Sequence, residues 1–278
     1  MSKIAIGQCE VFDTDVERNL ATLEAALHSL SDDTDIVVFP ELFLTGFLTR
    51  AEIDAVALQS QSDAIRKVEE LSERYDVVVS VGFAERDQNQ FFNSVAWIQP
   101  KHPATVYRKN YLWLSDVGIF SEGRGGLVQS YQDLNFGIAI CFDIEFPETG
   151  RALANAGAEV FLVSNGNMQP YGHVHRIAAQ ARAIENHCYV IMCNRVGSSN
   201  DHDFVGDSLV VDPMGKIVVE MGATPGVAYV EIDKEKIRSS QASYCYLEHV
   251  RRSARTSAMQ DVRRSATDDL VRSERVEP

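Results

Sequence analysis

Apolar residues fall along this chain in two rhythms. Short runs at Ile4–Gln8, Asp35–Phe39, Val77–Phe83, Phe136–Ile140, Glu159–Val163 and Tyr189–Asn194 have the length of buried strands. Between them, Asp15–Leu30, Ser60–Tyr75, Pro147–Ala156 and His173–His187 space apolar residues three and four apart, as a helix with one buried face does. Phe91–Ile98 alternates and reads as the antiparallel neighbour of the strand before it, and Ala104–Tyr107 continues that series. Asp207–Val211, Lys216–Val219 and Ala228–Ile232 then read as a meander, with turns at Asp212–Gly215 and Thr224–Gly226. Strands alternating with helices early and late, with antiparallel pairs between, predict a layered α/β domain with mixed sheets. Residues 1–245 hold no repeat and no linker-like tract and are read as one domain. Residues 246–278 turn polar and arginine-rich, either a solvated tail or an arm that packs on a partner subunit.

Composition narrows the function more than the fold. With 45% hydrophobic and 24% charged residues, the chain is an ordinary globular sequence able to bury a large core. Its formal net charge of −14 argues against a nucleic-acid partner, because phosphate contacts need a basic surface. No apolar run approaches the roughly 18 residues of a membrane span, and Lys3–Gly7 enters a strand pattern without a leader sequence. Five cysteines without regular spacing do not form a disulfide framework, so the expected setting is cytoplasmic with reduced thiols.

The most informative stretch is FGIAICFDIEFPE, Phe136–Glu148. An apolar strand leads straight into Cys141, an acidic-aromatic turn follows, and Pro147 is placed to open a helix. Such a turn holds a thiol rigidly toward a cleft, with adjacent backbone N–H groups free to meet a developing negative charge. A buried cysteine alone is most often a small core hydrophobe, so Cys141 needs partners before it counts as a nucleophile. Two suitable ones stand at strand ends: Glu41 in FPELFLTGF (Phe39–Phe47) and Lys109 in YRKNYLW (Tyr107–Trp113). A carboxylate can take the thiol's proton, since the thiolate is the nucleophile. A lysine can stabilise an oxyanion.

These three segments, in this order and at these spacings, resemble the carbon–nitrogen hydrolase family, the nitrilase superfamily. GAEVFLVSNGNMQPYG (Gly157–Gly172), ARAIENHCYVIMCNRVG (Ala181–Gly197) and FVGDSLVVDPMGK (Phe204–Lys216) extend the resemblance over residues 3–232. It implies an αββα four-layer sandwich and a hydrolase of carbon–nitrogen bonds other than peptide bonds. The implied roles are Glu41 as general base, Lys109 as oxyanion donor and Cys141 as nucleophile, with the Phe142 backbone N–H as second oxyanion donor. A thioester would form, the amine would leave, and water would release the acid. No cofactor and no metal are implied, and a homodimer or larger homo-oligomer is. The family usually carries a second glutamate shortly after the lysine. Here the stretch is KNYLWLSDVGIFSEG, and the nearest acid is Asp116, one residue early and a methylene shorter. Asp116 is therefore the expected supporting acid.

Phe142-Asp143 after the cysteine resembles the amidase side of the superfamily rather than the nitrile hydrolysers, and points to a small amide as substrate. Glu145 would disfavour anionic substrates and favour neutral or amine-bearing ones, or else it only orders the turn. Asn165, Asn167 and Met168 follow a strand whose end the architecture brings to the cleft, and are expected in the substrate pocket. Arg182, Glu185 and Asn186 read as hydrogen-bonding residues on a nearby helix. His173 and His175, two apart, do not share a helix face and make poor metal co-ligands. No GxSxG elbow or phosphate-binding loop is present. The alternative is a degenerate, dimeric binding protein built on the same fold, for which the Glu41–Lys109–Cys141 trio would have no use.

Overall fold

The period of two along the strands sorts the apolar residues into layers. The computed structural model describes residues 2–199 and 202–255. Its first six-stranded sheet runs β14 (Gly226–Glu231), β1 (Lys3–Gln8), β2 (Ile36–Val38), β3 (Val78–Asp87), β4 (Gln90–Ile98), β5 (Thr105–Arg108). The second runs β13 (Ile217–Glu220), β12 (Leu209–Val211), β9 (Tyr189–Cys193), β8 (Val160–Ser164), β7 (Leu134–Ile140), β6 (Leu127–Tyr131). Both are mixed: β1, β2 and β3 are parallel, as are β7, β8 and β9, and antiparallel strands flank each trio. Ile4, Ile6, Ile36, Val38, Trp97, Phe136, Ile138, Val160, Leu162 and Ile191 point between the sheets and form the central core.

The intervening residues face outward. Ala5, Val37, Val79 and Val81 pack under α1 (Val16–His28) and α3 (Asp63–Tyr75) through Leu23, Leu27, Ile65, Val68 and Leu71. Ala139, Phe161, Val163 and Val190 pack under α4 (Pro147–Asn155) and α5 (Gly172–Asn186) through Leu153, Ala179 and Ala183. The result is the four-layer αββα sandwich. The predicted helices begin where capping chemistry starts them: Asp15 accepts from the Arg18 N–H, Ser62 from the Ile65 N–H, and Pro147 takes the first position of α4. A short α2 (Ile53–Val56), a hairpin of β10 (Val196–Ser199) and β11 (His202–Val205), and α6 (Lys234–Tyr244) complete the domain.

Two expectations change. The meander is split: β12 and β13 pair in the second sheet, but β14 crosses over and pairs antiparallel with β1. The Gln8 side chain holds the crossing by donating to the carbonyls of Gly222 and Thr224, each at 2.7 Å. Strand periodicity fixes which face a residue takes, not which sheet edge recruits it. The second change is at the C-terminal segment, where Tyr246–Arg255 forms α7. It docks because the Tyr246 N–H donates to His187 Nε2 at 3.0 Å and the two rings stack at 5.5 Å. The rest of the expected tail, 256–278, lies outside the described residues. Among the described residues no helix is long and apolar enough to cross a membrane.

Candidate active site

Glu41, Lys109 and Cys141 each sit shortly past the end of a strand, and Asp116 lies in a turn beyond β5. Glu41 follows β2 in a turn with Leu42 in the left-handed region (φ 51°). Gly82 on β3 lets this turn lie flat against the sheet, since a Cβ there would come within 2.5 Å of both the Leu42 nitrogen and the Pro40 carbonyl oxygen. Lys109 follows β5, its N–H bonded to the Asn93 carbonyl at 2.8 Å. Cys141 directly follows β7 with φ +43° and opens a 3-10 turn, Cys141–Glu145, that leads into α4. A left-handed, non-glycine residue at this bend is strained, and the surrounding contacts hold it there.

Asp143 fastens that bend. One of its oxygens accepts from the Tyr107 hydroxyl (2.8 Å) and the Ile140 N–H (3.0 Å), the other from the N–H groups of Asn110 (3.2 Å) and Tyr111 (3.0 Å). The turn carrying Cys141 is thus stitched to the segments on both sides of Lys109. Burial pushes the Asp143 carboxyl up, while these donors oppose the shift.

The four candidates meet in one buried cluster. Lys109 Nζ lies 2.7 Å from Glu41 Oε1 and 2.7 Å from Asp116 Oδ2. Asn93 Nδ2 donates to the same Glu41 oxygen at 2.8 Å, and the Trp113 N–H to the same Asp116 oxygen at 3.2 Å. Burial pulls Lys109 down, but the Asp116 and Glu41 carboxylates outweigh it and hold the ammonium well above its usual range. For Cys141 the sum goes the other way. Burial first and the Glu41 carboxylate second push the thiol well up, against the weaker pull of Lys109 and the Gly166 N–H. The resting sulfur therefore keeps its proton and needs a base. Glu41 Oε2 is buried with no hydrogen-bond partner among the described residues, a free acceptor beside that thiol.

The cluster forms one end of a narrow cavity. Trp113, Phe142 and Tyr171 make an aromatic wall, with ring centroids 5.1 and 5.2 Å from Trp113, and Phe47 stands on another side. Glu145, Asn167 and Met168 line the cavity as expected. Asn165 does not: it stands behind the wall, wholly buried, where Oδ1 bonds His175 Nδ1 at 2.9 Å and the main-chain carbonyl accepts the Glu41 N–H at 3.2 Å. The Glu145 carboxylate is already engaged, since His175 Nε2 meets its Oε1 at 3.0 Å. Arg182 supports the elbow from below, donating to the carbonyls of Ile144 (3.1 Å) and Glu145 (3.2 Å), and itself pairs with Glu185, while Asn186 bonds back to the Arg182 carbonyl.

The chain compares with known proteins at three levels. The sequence profile of the carbon–nitrogen hydrolase family matches residues 3–242. The chain belongs to the carbon–nitrogen hydrolase family. An (R)-stereoselective amidase from Pseudomonas sp. is 40% identical over 246 residues, covering 88% of this chain and 90% of that protein. The 2-oxoglutaramate amidase of Bacillus subtilis is 30% identical, covering 84% and 92%. A solved CN-hydrolase superfamily protein from Xanthomonas campestris shares the fold, with a TM-score of 0.83 at 23% identity over 89% of this chain and 96% of that one. Membership makes the protein a hydrolase acting on carbon–nitrogen bonds other than peptide bonds.

For this carbon–nitrogen hydrolase, sequence reading overlooked four residues at or beside the site. His175 was weighed only as a metal ligand, yet it lines the cavity, and the described residues hold no cluster of groups able to bind a metal. Its signal was a seven-residue separation from Arg182, which puts both on the face of α5 toward the elbow. Phe47 and Tyr171 lie in quoted motifs without a chemical group that marks them. Asn93, in mid-strand, is found only through its bond to Glu41.

Proposed function

We propose that this protein is a thiol amidohydrolase that cleaves the C–N bond of a small amide through a cysteine thioester. The observation that carries the reading is the unpartnered Glu41 Oε2 beside a protonated, buried thiol, with Lys109 fixed between Glu41 and Asp116. Glu41 takes the Cys141 proton as the sulfur attacks the amide carbon. The oxyanion is met by Lys109 Nζ and the Phe142 backbone N–H. Glu41 then gives its proton to the leaving nitrogen, the C–N bond breaks, and amine or ammonia departs. Glu41 next takes a proton from water as the oxygen attacks the thioester, and it returns that proton to the sulfur as the C–S bond breaks and the acid is released. Asp116 supplies the second carboxylate that keeps Lys109 cationic throughout. A buried cation between two acids and a thiol costs stability, which a scaffold protein would have no reason to bear.

The amidase relatives and the Phe142-Asp143 turn support amides over nitriles. Glu145 supports neutral or amine-bearing substrates, its charge tempered by His175. We read residues 1–245 as the hydrolase domain, and the protein as a cytoplasmic homodimer that uses the helices after the elbow and the C-terminal arm. Exposed Ile177 on α5 supports that surface. The reading is tested by ammonia release from a panel of primary amides. Cys141→Ala and Cys141→Ser are each expected to abolish it with the fold intact, and undiminished turnover by folded Cys141→Ala would sink it.

A further inference from the structure

A second cavity adjoins the reaction chamber. It shares two lining residues with the first, Phe47 and Asp116. Its inner surface is apolar, made by Leu42, Leu48, Ile119 and Phe120, while Arg50 and His202 stand at its rim. The same apolar residues belong to a hydrophobic cluster separate from the three layers of core, and that cluster also takes in Met168 and Trp113 of the reaction chamber. Apolar contacts thus run past Phe47 from one cavity to the other, with Asp116 beside them.

The chemistry sets which end of a substrate lies toward this second space. The leaving nitrogen must sit beside the group that protonates it, which in the proposed mechanism is Glu41. A Cβ placed on Gly166 would lie 2.5 Å from Glu41 Oε2 and 3.0 Å from two atoms of the Phe47 ring, so carboxylate and ring edge flank a single point. A leaving nitrogen held by Glu41 Oε2 would thus lie toward Phe47, which puts the space beyond Phe47 on the amine side of the scissile bond. Glu145 and His175 lie on the part of the chamber wall that carries Tyr171 and Asn167, not on this apolar surface.

We infer that the cavity behind Phe47 is a subsite for an apolar substituent on the amide nitrogen, so that the enzyme takes N-alkyl amides and releases alkylamines as well as ammonia. This inference rests on the amidase reading. The cavity's buried carboxylate, Asp116, is already paired with Lys109, so the apolar floor offers a charged group no unpaired partner, and burying an unpaired charge there is unfavourable. A straight or branched alkyl chain fits it, and each added methylene gains from leaving water.

The test uses the full chain and a series of amides with one acyl group, unsubstituted and then N-methyl to N-butyl, with amine release as readout. We expect kcat/KM relative to the N-methyl amide to rise about fourfold per added methylene. Ile119→Trp fills the floor and is expected to abolish that gradient, whereas Ile119→Ala moves the preferred chain length upward. Leu48→Phe narrows the same floor and replaces Ile119→Trp if the latter fails to fold. A flat or falling gradient in the unmodified enzyme overturns the inference, as does a gradient that survives both filling variants. If filling instead changes the dependence on acyl-chain length, the cavity serves the other end of the substrate and the inference fails. Absence of Cys141-dependent release from every member, the unsubstituted amide included, brings down the amidase reading and the subsite with it.

Discussion

Arg108 and Lys109 are neighbours at the end of one strand, and each lies between two carboxylates. Arg108 forks onto Glu85 through Nε and Nη2, both at 2.7 Å, and reaches Asp87 at 2.7 Å. Lys109 reaches Glu41 and Asp116 at the same distance. The charge counts are equal and the chemistry is not. On the Arg108 side both Glu85 oxygens are occupied, the Ser94 hydroxyl adds another bond, and the guanidinium lies over the Phe92 ring at 3.9 Å, its side chain 31% exposed. On the Lys109 side the cation is sealed at 1% exposure and one carboxylate oxygen is left open beside a thiol. A planar fork saturates its partners, whereas a point charge neutralises them and leaves lone pairs to react. The lesson is that an acid–cation–acid arrangement becomes a candidate catalytic centre through what it leaves unsatisfied.

Lys109→Met should lower kcat/KM by at least about a thousandfold and destabilise the fold by ~3–5 kcal/mol, because two buried carboxylates lose their cation. That destabilisation should ease as pH falls, since protonation removes the abandoned charges. Chemical denaturation at two pH values checks it, and a stable variant at neutral pH would mean that the cluster is not held by charge.

Glu41→Gln separates the two duties of that carboxylate. Loss of the base should reduce amide turnover by roughly 10²–10⁴-fold. Glu41 is also the second cause that raises the Cys141 thiol, so removing its charge lets the thiol titrate lower, toward Lys109. Alkylation of Cys141 by iodoacetamide near neutral pH should therefore become faster while turnover collapses. Slower alkylation would contradict the assigned electrostatics.

Arg108→Met should leave turnover near the unmodified rate and cost about 1–3 kcal/mol of stability through the unpaired Glu85. Arg108→Met with Glu85→Leu should recover much of it, since an apolar pair of similar volume replaces a buried ion pair well. A large loss of turnover in the single variant would show that the two clusters are coupled.

The smallest effect concerns α7. Burial first, and Arg151 second, lower the His187 pKa from 6.5. Neutral His187 accepts the Tyr246 N–H at Nε2 and bonds Ser240 through Nδ1 at 2.8 Å. A depressed histidine contributes stability that is present above 6.5 and is lost as pH falls through its lower folded value. Amide exchange at Tyr246 should thus accelerate below pH 6.5, after correction for intrinsic rates, and His187→Phe should remove that dependence.

Much of this could be read before any coordinates. The short apolar runs Ile4–Gln8 and Phe136–Ile140 were already recognisable as buried strands, and Pro147 as the opening of a helix. Glu41, Lys109 and Cys141 stand near strand ends with reactive groups, and the family resemblance is what singled them out together and pointed to Asp116 as the supporting acid. Local backbone preferences and side-chain chemistry are properties of short segments, so the sequence carries them by itself. Where β14 pairs, which wall Asn165 stands behind, how His175 tempers Glu145 and what lies beyond Phe47 depend on contacts between segments tens to hundreds of residues apart. No local pattern encodes those distances. Only the closed sandwich set them, and with them which oxygen of Glu41 stayed free.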